Sequence, residues 1–292
     1  MIRYALLTAF LLPTPAHAQA TRPAPVAERV VQRPHISIRD EGGRGPAVIL
    51  IPGLASPRAV WDGVVPAVRT RHRVLTIQVN GFAGDDPRAN ATGAILDGIV
   101  TDLSAYIAEE KIAAPAVVGH SLGGLVAMML AVRASQRVGR VMVVDALPFI
   151  GTLFDPGATA ESIKPMAERA RAGMLAAPVP PAPATADPGG IWSITPAGRI
   201  QVANWTRLAD PKVVAQAMYE DMVTDLRPQV RTIAVPLTVL YATGAGPQAK
   251  AIWEREYAGS SAKLVPIAGS WHFIMLDQPA AFATALDEFL KP

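Results

Sequence analysis

The 292-residue chain contains no cysteine. Disulfide bonds, thiol catalysis and cysteine metal sites are therefore all excluded. Its five histidines, at positions 17, 35, 72, 120 and 272, include no close pair of the kind that ligates a metal. Basic clusters are also missing. The formal charge is only +3, arginines are scattered along the chain, and no segment reads as a nucleic-acid surface. No apolar run approaches the about 20 residues needed to span a bilayer. No repeat of fixed period is present.

Half of the residues are hydrophobic, enough for one sizeable core. The chain begins MIRYALLTAFLLPTPAHAQA, with Arg3, an apolar run over residues 4–12 and then Ala16-His17-Ala18. That order predicts a secretory signal peptide over residues 1–18, and a periplasmic or secreted product with no stable membrane insertion after cleavage. Loss of these residues removes Arg3 and no acidic residue, leaving +2. Residues 19–34 read as a polar, proline-bearing lead-in to the fold.

From His35 onward, strand and helix patterns alternate. AVILIPG, residues 47–53, is a continuous apolar run expected of a strand buried on both faces. SPRAVWDGVVPAVRT predicts a helix with Ser56 as cap and Pro57 at its first position. HRVLTIQV reads as another strand. NGFAGDDPRANATG is loop-like, with Asp85 and Asp86 as solvated loop residues. ILDGIVTDLSAYIAEE places Ile95, Ile99, Leu103 and Ile107 on one helical stripe. The alternation predicts an α/β fold: a mostly parallel central sheet with helices on both faces. It breaks over residues 149–224, where helical stretches surround a proline-rich piece. Strands resume in VPLTVLYAT and AKLVPIAG, so the break reads as a helical insertion within one domain, residues 35–292. Trp192 and Trp205 fall inside it, open to core packing or to lining an apolar acyl pocket.

AVVGHSLGGLVAMML, residues 116–130, joins a strand pattern to a helix pattern through Gly119-His120-Ser121-Leu122-Gly123. G-x-S-x-G in that context is a nucleophile elbow. A sharp turn exposes the serine oxygen above the sheet, and side chains at the flanking positions would collide. The amides opening the helix favour negative charge nearby. Ser121 is the candidate nucleophile.

On VVGHSLGG, LIPGLAS and SWHFIMLDQP, the chain resembles the α/β-hydrolase superfamily over residues 35–292, with the insertion in the position of that family's cap. The resemblance implies an oxyanion loop at LIPGLAS, where the backbone N–H of Leu54 pairs with that of Leu122; Pro52 stands where the family usually has histidine. His272, in a loop after the last apolar strand, matches the general base and keeps the family's chain order. His120, next to Ser121 on a strand, points to the other side of the sheet. The family most often carries its acid just after the strand that follows the cap. Here Ala245 or Gly246 occupies that place, and no carboxylate appears until Glu254. The open alternatives are Asp145, at the end of the strand following the Ser121 helix, Glu254, an insertion residue such as Asp225, or a dyad without an acid.

These features imply a serine hydrolase acting on a small ester or lactone with an apolar acyl group, without metal or organic cofactor. Acyl transfer through the same acyl-enzyme, or a binding protein on a hydrolase fold that lost its acid, are the alternatives. A serine in the elbow argues against the branches that use an aspartate nucleophile.

Overall fold

The computed structural model describes residues 29–291. The expected signal peptide lies outside them. Eight strands form one sheet: β1 (Arg29–Gln32), β2 (Ile36–Gly42), β3 (Ala47–Ile51), β4 (Arg73–Val79), β5 (Ala116–His120), β6 (Arg140–Val144), β7 (Leu237–Ala242) and β8 (Lys263–Ile267). Their spatial order is β1-β2-β4-β3-β5-β6-β7-β8. The β1–β2 and β2–β4 pairs are antiparallel, and every other pair is parallel. β1 lies in the stretch expected to be lead-in. Only four residues long, it is set by pairing with β2 rather than by a pattern of its own.

The helices are α1 (Val65–Val68), α2 (Ile95–Glu109), α3 (Leu122–Arg133), α4 (Ala160–Ala176), α5 (Pro196–Leu208), α6 (Pro211–Val223), α7 (Arg227–Val230), α8 (Gln248–Glu256), α9 (Ile274–Asp277) and α10 (Pro279–Leu290). Among the described residues, none is long and apolar enough to cross a membrane.

Every residue of β3 and β5 is buried, as their unbroken apolar sequences require. Strand alternation sorts their side chains into two cores. Ile49, Ile51, Val117, Val141 and Val143 join the α2 stripe (Ile95, Ile99, Leu103, Ile107) and α3 on one face. Val48, Leu50, Val118, Met142 and Val144 join Trp61, Val65, Phe282 and Phe289 on the other. At about 0.025 kcal/mol per Å² of apolar surface removed from water, these two layers supply the main stabilisation of the sheet.

The helix expected over residues 56–70 is broken. A single 3-10 turn (Arg58–Trp61) precedes the four-residue α1. Gly63 and Pro66 explain the interruption: proline lacks the N–H that would continue the ladder and clashes with the preceding turn. Ser56 does not cap it; its hydroxyl donates to the Leu54 carbonyl, 3.3 Å away. Between β6 and β7 the described chain is helical, with α4 packed on α6 around Phe149, Ile163, Ala167 and Met222.

Candidate active site

β5 ends at His120, and α3 begins at Leu122. Ser121 between them has φ 53° and ψ −126°, a conformation L-residues rarely adopt and which persists only where surrounding structure fixes it. The flanking glycines explain how the chain passes. A Cβ on Gly119 would lie 2.0 Å from the Gly123 carbonyl oxygen, and one on Gly123 would lie 2.5 Å from the Ile51 and Pro52 oxygens. Helix α3, buried from Leu122 through Ala131, anchors the turn.

His272 Nε2 is 2.9 Å from Ser121 Oγ, and His272 Nδ1 is 2.8 Å from Asp145 Oδ2. A carboxylate only accepts, so Nδ1 carries the hydrogen. Nε2 therefore presents its lone pair to the Ser121 hydroxyl. Three residues from three distant parts of the sequence thus form one continuous hydrogen-bonded line.

Asp145 directly follows β6, and its backbone is tied to β7: its N–H donates to the Leu240 carbonyl at 2.8 Å. Its second carboxyl oxygen accepts the Ala242 N–H, also at 2.8 Å. The Tyr257 hydroxyl donates to the carbonyl of the next residue, Ala146, at 2.5 Å. Burial pushes the Tyr257 pKa well above its usual range, so it remains a donor. After β7 the chain closes tightly on the histidine loop. A Cβ on Gly244 would lie 1.8 Å from the Trp271 ring, and the Gly244 N–H donates to the Ser270 carbonyl at 3.0 Å. The other candidate acids are engaged elsewhere. Glu254 is exposed and paired with Lys250, and Asp225 pairs with the Arg227 guanidinium at 2.6 Å.

The 53–56 loop abuts the elbow. A Cβ on Gly53 would lie 3.0 Å from the Ser121 Cβ and 2.8 Å from His120 Nδ1. The turn closes through a Ser56 N–H to Gly53 carbonyl bond of 3.1 Å. The backbone N–H groups of Leu54 and Leu122 have no acceptor among the described residues, and Leu122 opens α3. His120 is fully buried beneath the His272 loop and packs at a tilt against both His272 and Phe273, with ring centroids 4.7 Å from each. Its Nε2–H donates to the His272 carbonyl at 2.9 Å, so its Nδ1 is a bare lone pair with no partner among the described residues. Burial, reinforced by His272, lowers its pKa well below the usual histidine range and keeps it neutral.

Two further contacts fix the histidine loop, and both reach into the helical insertion. The Phe273 N–H donates to the Trp192 carbonyl at 2.9 Å, and the Trp192 ring lies 5.6 Å from the His272 ring. The buried Asp277 accepts the Trp271 N–H at 2.8 Å, the Ser193 hydroxyl at 2.5 Å and the Ile194 N–H at 3.1 Å. Trp205 instead packs against Phe273, with ring centroids 6.1 Å apart. Sequence reasoning missed Asp277; its only signal was its place in SWHFIMLDQP, five residues after His272. Asp85 and Asp86 are exposed, as expected of loop residues.

A model of the alpha/beta hydrolase family matches residues 48–285. The chain belongs to that family. A 106-residue segment is 34% identical to the pimeloyl-(acyl-carrier protein) methyl ester esterase of Aeromonas hydrophila, covering 36% of this chain and 40% of that protein. A 109-residue segment is 32% identical to the mouse (Mus musculus) sn-1-specific diacylglycerol lipase ABHD11, covering 37% of this chain and 34% of that one. These matched segments span two-fifths or less of each relative. Among solved structures, the enol-lactonase of Burkholderia xenovorans LB400 aligns with a TM-score of 0.66 at 21% identity, over 87% of this chain and 96% of that one. An esterase from Exiguobacterium antarcticum aligns at 0.69 and 17% identity, over 88% and 96%. Family membership accounts for the mostly parallel sheet with its helices.

Proposed function

We propose that this chain is a serine hydrolase that cleaves a small carboxylic ester or lactone through an acyl-enzyme on Ser121. The observation that carries the reading is the unbroken line from Ser121 Oγ through His272 to Asp145. Ser121 Oγ attacks the carbonyl carbon while His272 Nε2 takes its proton. The carbonyl oxygen becomes an oxyanion held by the Leu54 and Leu122 amides, each worth about 3 kcal/mol in such sites. As the tetrahedral intermediate collapses, the C–O bond to the alcohol breaks and His272 returns the proton to the departing oxygen. Water then attacks the acyl-enzyme by the same steps, releasing the acid and restoring Ser121. Asp145 holds the Nδ1–H tautomer and stabilises the imidazolium.

The esterase and lipase named above support the ester class. The helical insertion serves as a cap, supported by Trp192 against His272, and that aromatic wall favours an apolar acyl group. The mature form starts near Gln19 and works in the periplasm or outside the cell, a reading supported by the signal-like order of residues 1–18. Mass spectrometry of exported protein tests the start; intact Met1 in a membrane fraction would overturn it. Turnover of short p-nitrophenyl esters tests the activity. Ser121→Ala should lose about 10³–10⁶-fold in kcat; a folded variant that keeps most of its turnover would remove Ser121 from the reaction.

A further inference from the structure

The imidazole of His120 is fully buried one residue before the nucleophile, and the reaction above gives it no part. Its backbone is fixed by the sheet. His120 lies opposite Val144 in the parallel β5–β6 pair, and the next N–H, that of Ser121, donates to the Val144 carbonyl at 2.9 Å. The loop that carries His272 is fastened mostly to other parts of the chain. The Ser270 carbonyl accepts the Gly244 N–H after β7, the Trp271 N–H donates to Asp277, and the Phe273 N–H donates to the Trp192 carbonyl in the insertion. The carbonyl of His272 itself accepts the His120 Nε2–H at 2.9 Å. This bond ties the backbone of the base to the strand of the nucleophile.

Another edge of the same ring faces the oxyanion loop. A Cβ on Gly53, the residue before Leu54, would stand 2.8 Å from His120 Nδ1. One buried ring thus lies against both loops, and its own strand leads into Ser121. Displacing a reacting group by about 1 Å can cost about 10²-fold in rate, so whatever sets these separations acts on the reaction.

Resting on the serine-hydrolase reading above, we propose that His120 is a positioning residue whose ring holds the His272 loop, through the His272 carbonyl, in register with Ser121 and the Gly53 turn. The chemistry explains why an imidazole serves. An alkyl or phenyl group would fill the space but leave the His272 carbonyl without its donor. A lysine or arginine would bring the donor with a charge, opposing the imidazolium that His272 becomes during the reaction. The buried imidazole donates through Nε2–H and stays neutral, with its ring 4.7 Å from that of His272.

The test separates the donor from the packing. His120→Gln carries an amide N–H to the neighbourhood of Nε2 but lacks the ring, whereas His120→Leu fills similar space with no donor. With p-nitrophenyl butyrate, well below either Tm, kcat in His120→Leu should fall by about 10–100-fold while KM stays within about threefold of wild type. His120→Gln should keep about tenfold more turnover than His120→Leu, even where its Tm is the lower. A role in packing alone predicts that turnover follows Tm. His120→Leu turning over as fast as His120→Gln, or as fast as wild type, overturns the inference. If His120→Leu does not fold, His120→Asn takes its place: its shorter amide stops near the position of Nδ1, and turnover equal to that of His120→Gln overturns the inference. Fluorophosphonate labelling of Ser121 in the same samples separates the two levels. Labelling at one rate in wild type, His120→Leu and His120→Gln defeats the His120 assignment alone, whereas absence of labelling in wild type defeats the underlying hydrolase reading and the assignment with it.

Discussion

Asp145 and His272 are 127 positions apart in the chain, on either side of the helical insertion, and meet through a 2.8 Å hydrogen bond at the end of β7. The carboxyl group reaches the imidazole from the end of β6. With its other oxygen held by Ala242 N–H, Asp145 is fixed in position as well as near. The case for a binding protein that had lost its acid rested on the empty place after β7, and this contact removes that ground. Asp145→Asn preserves shape but puts a donor where Nδ1–H needs an acceptor. Its kcat should fall by about 10²–10⁴-fold with Tm nearly unchanged. A normal kcat with raised KM would instead assign Asp145 to substrate binding.

Gly119→Ala tests the steric origin of the elbow. Its Cβ would stand 2.0 Å from the Gly123 carbonyl oxygen, inside any tolerable contact. Moving that backbone is expected to cost about 1–3 kcal/mol and to displace Ser121 from His272. Thermal unfolding should show a lowered Tm together with lost esterase turnover. A variant with wild-type Tm and kcat would show that the turn has room to spare.

Asp277 couples the insertion to the histidine loop. Removing its carboxyl group in Asp277→Ala frees Trp271, Ser193 and Ile194 at once. Small misplacements of a general base are expensive, so kcat should fall by about 10–100-fold, more than KM changes. Ser193→Ala removes a single donor and should fall less. If kcat measured well below Tm is unaffected in Asp277→Ala, the residue only supports the fold.

Asp221 makes a prediction about pH and stability. Burial raises its pKa to about 7 in the fold, with His272 opposing the shift, against 3.8 for an unhindered aspartate. Between those values the folded protein holds a proton that the unfolded chain has released. Stability contributed by this group therefore falls as pH rises from about 4 to about 7 and stays constant above. Asp221→Asn lacks the effect. The excess of its Tm over wild type should widen across that interval by several degrees, at roughly 2–4 °C per kcal/mol for a domain near this size. Calorimetry giving a pH-independent difference would contradict the raised pKa.

The parts of this site that were legible in the sequence are those encoded locally. β3 and β5 announce themselves by unbroken apolar runs, and the α2 stripe by its period. The elbow is carried by steric requirements within five residues, and His272 by its loop after the last strand. The acid was ambiguous because strand order, not spacing, decides which carboxyl group meets His272. The failed helix over residues 56–70 shows a pattern of apolar residues overruled by Gly63 and Pro66. Asp277 and Asp221 are illegible for a third reason. What distinguishes them is the presence or absence of partners supplied by remote segments, and neither burial nor pairing is written beside them in the chain.

The central claim is that Ser121 is made nucleophilic by His272. Its most direct test is mass spectrometry of the protein after brief reaction with a fluorophosphonate. The adduct should map to the peptide carrying Ser121, disappear in Ser121→Ala, and form at least about 10²-fold more slowly in His272→Ala. An adduct on another serine, or labelling at Ser121 that proceeds at the same rate without His272, would contradict the account.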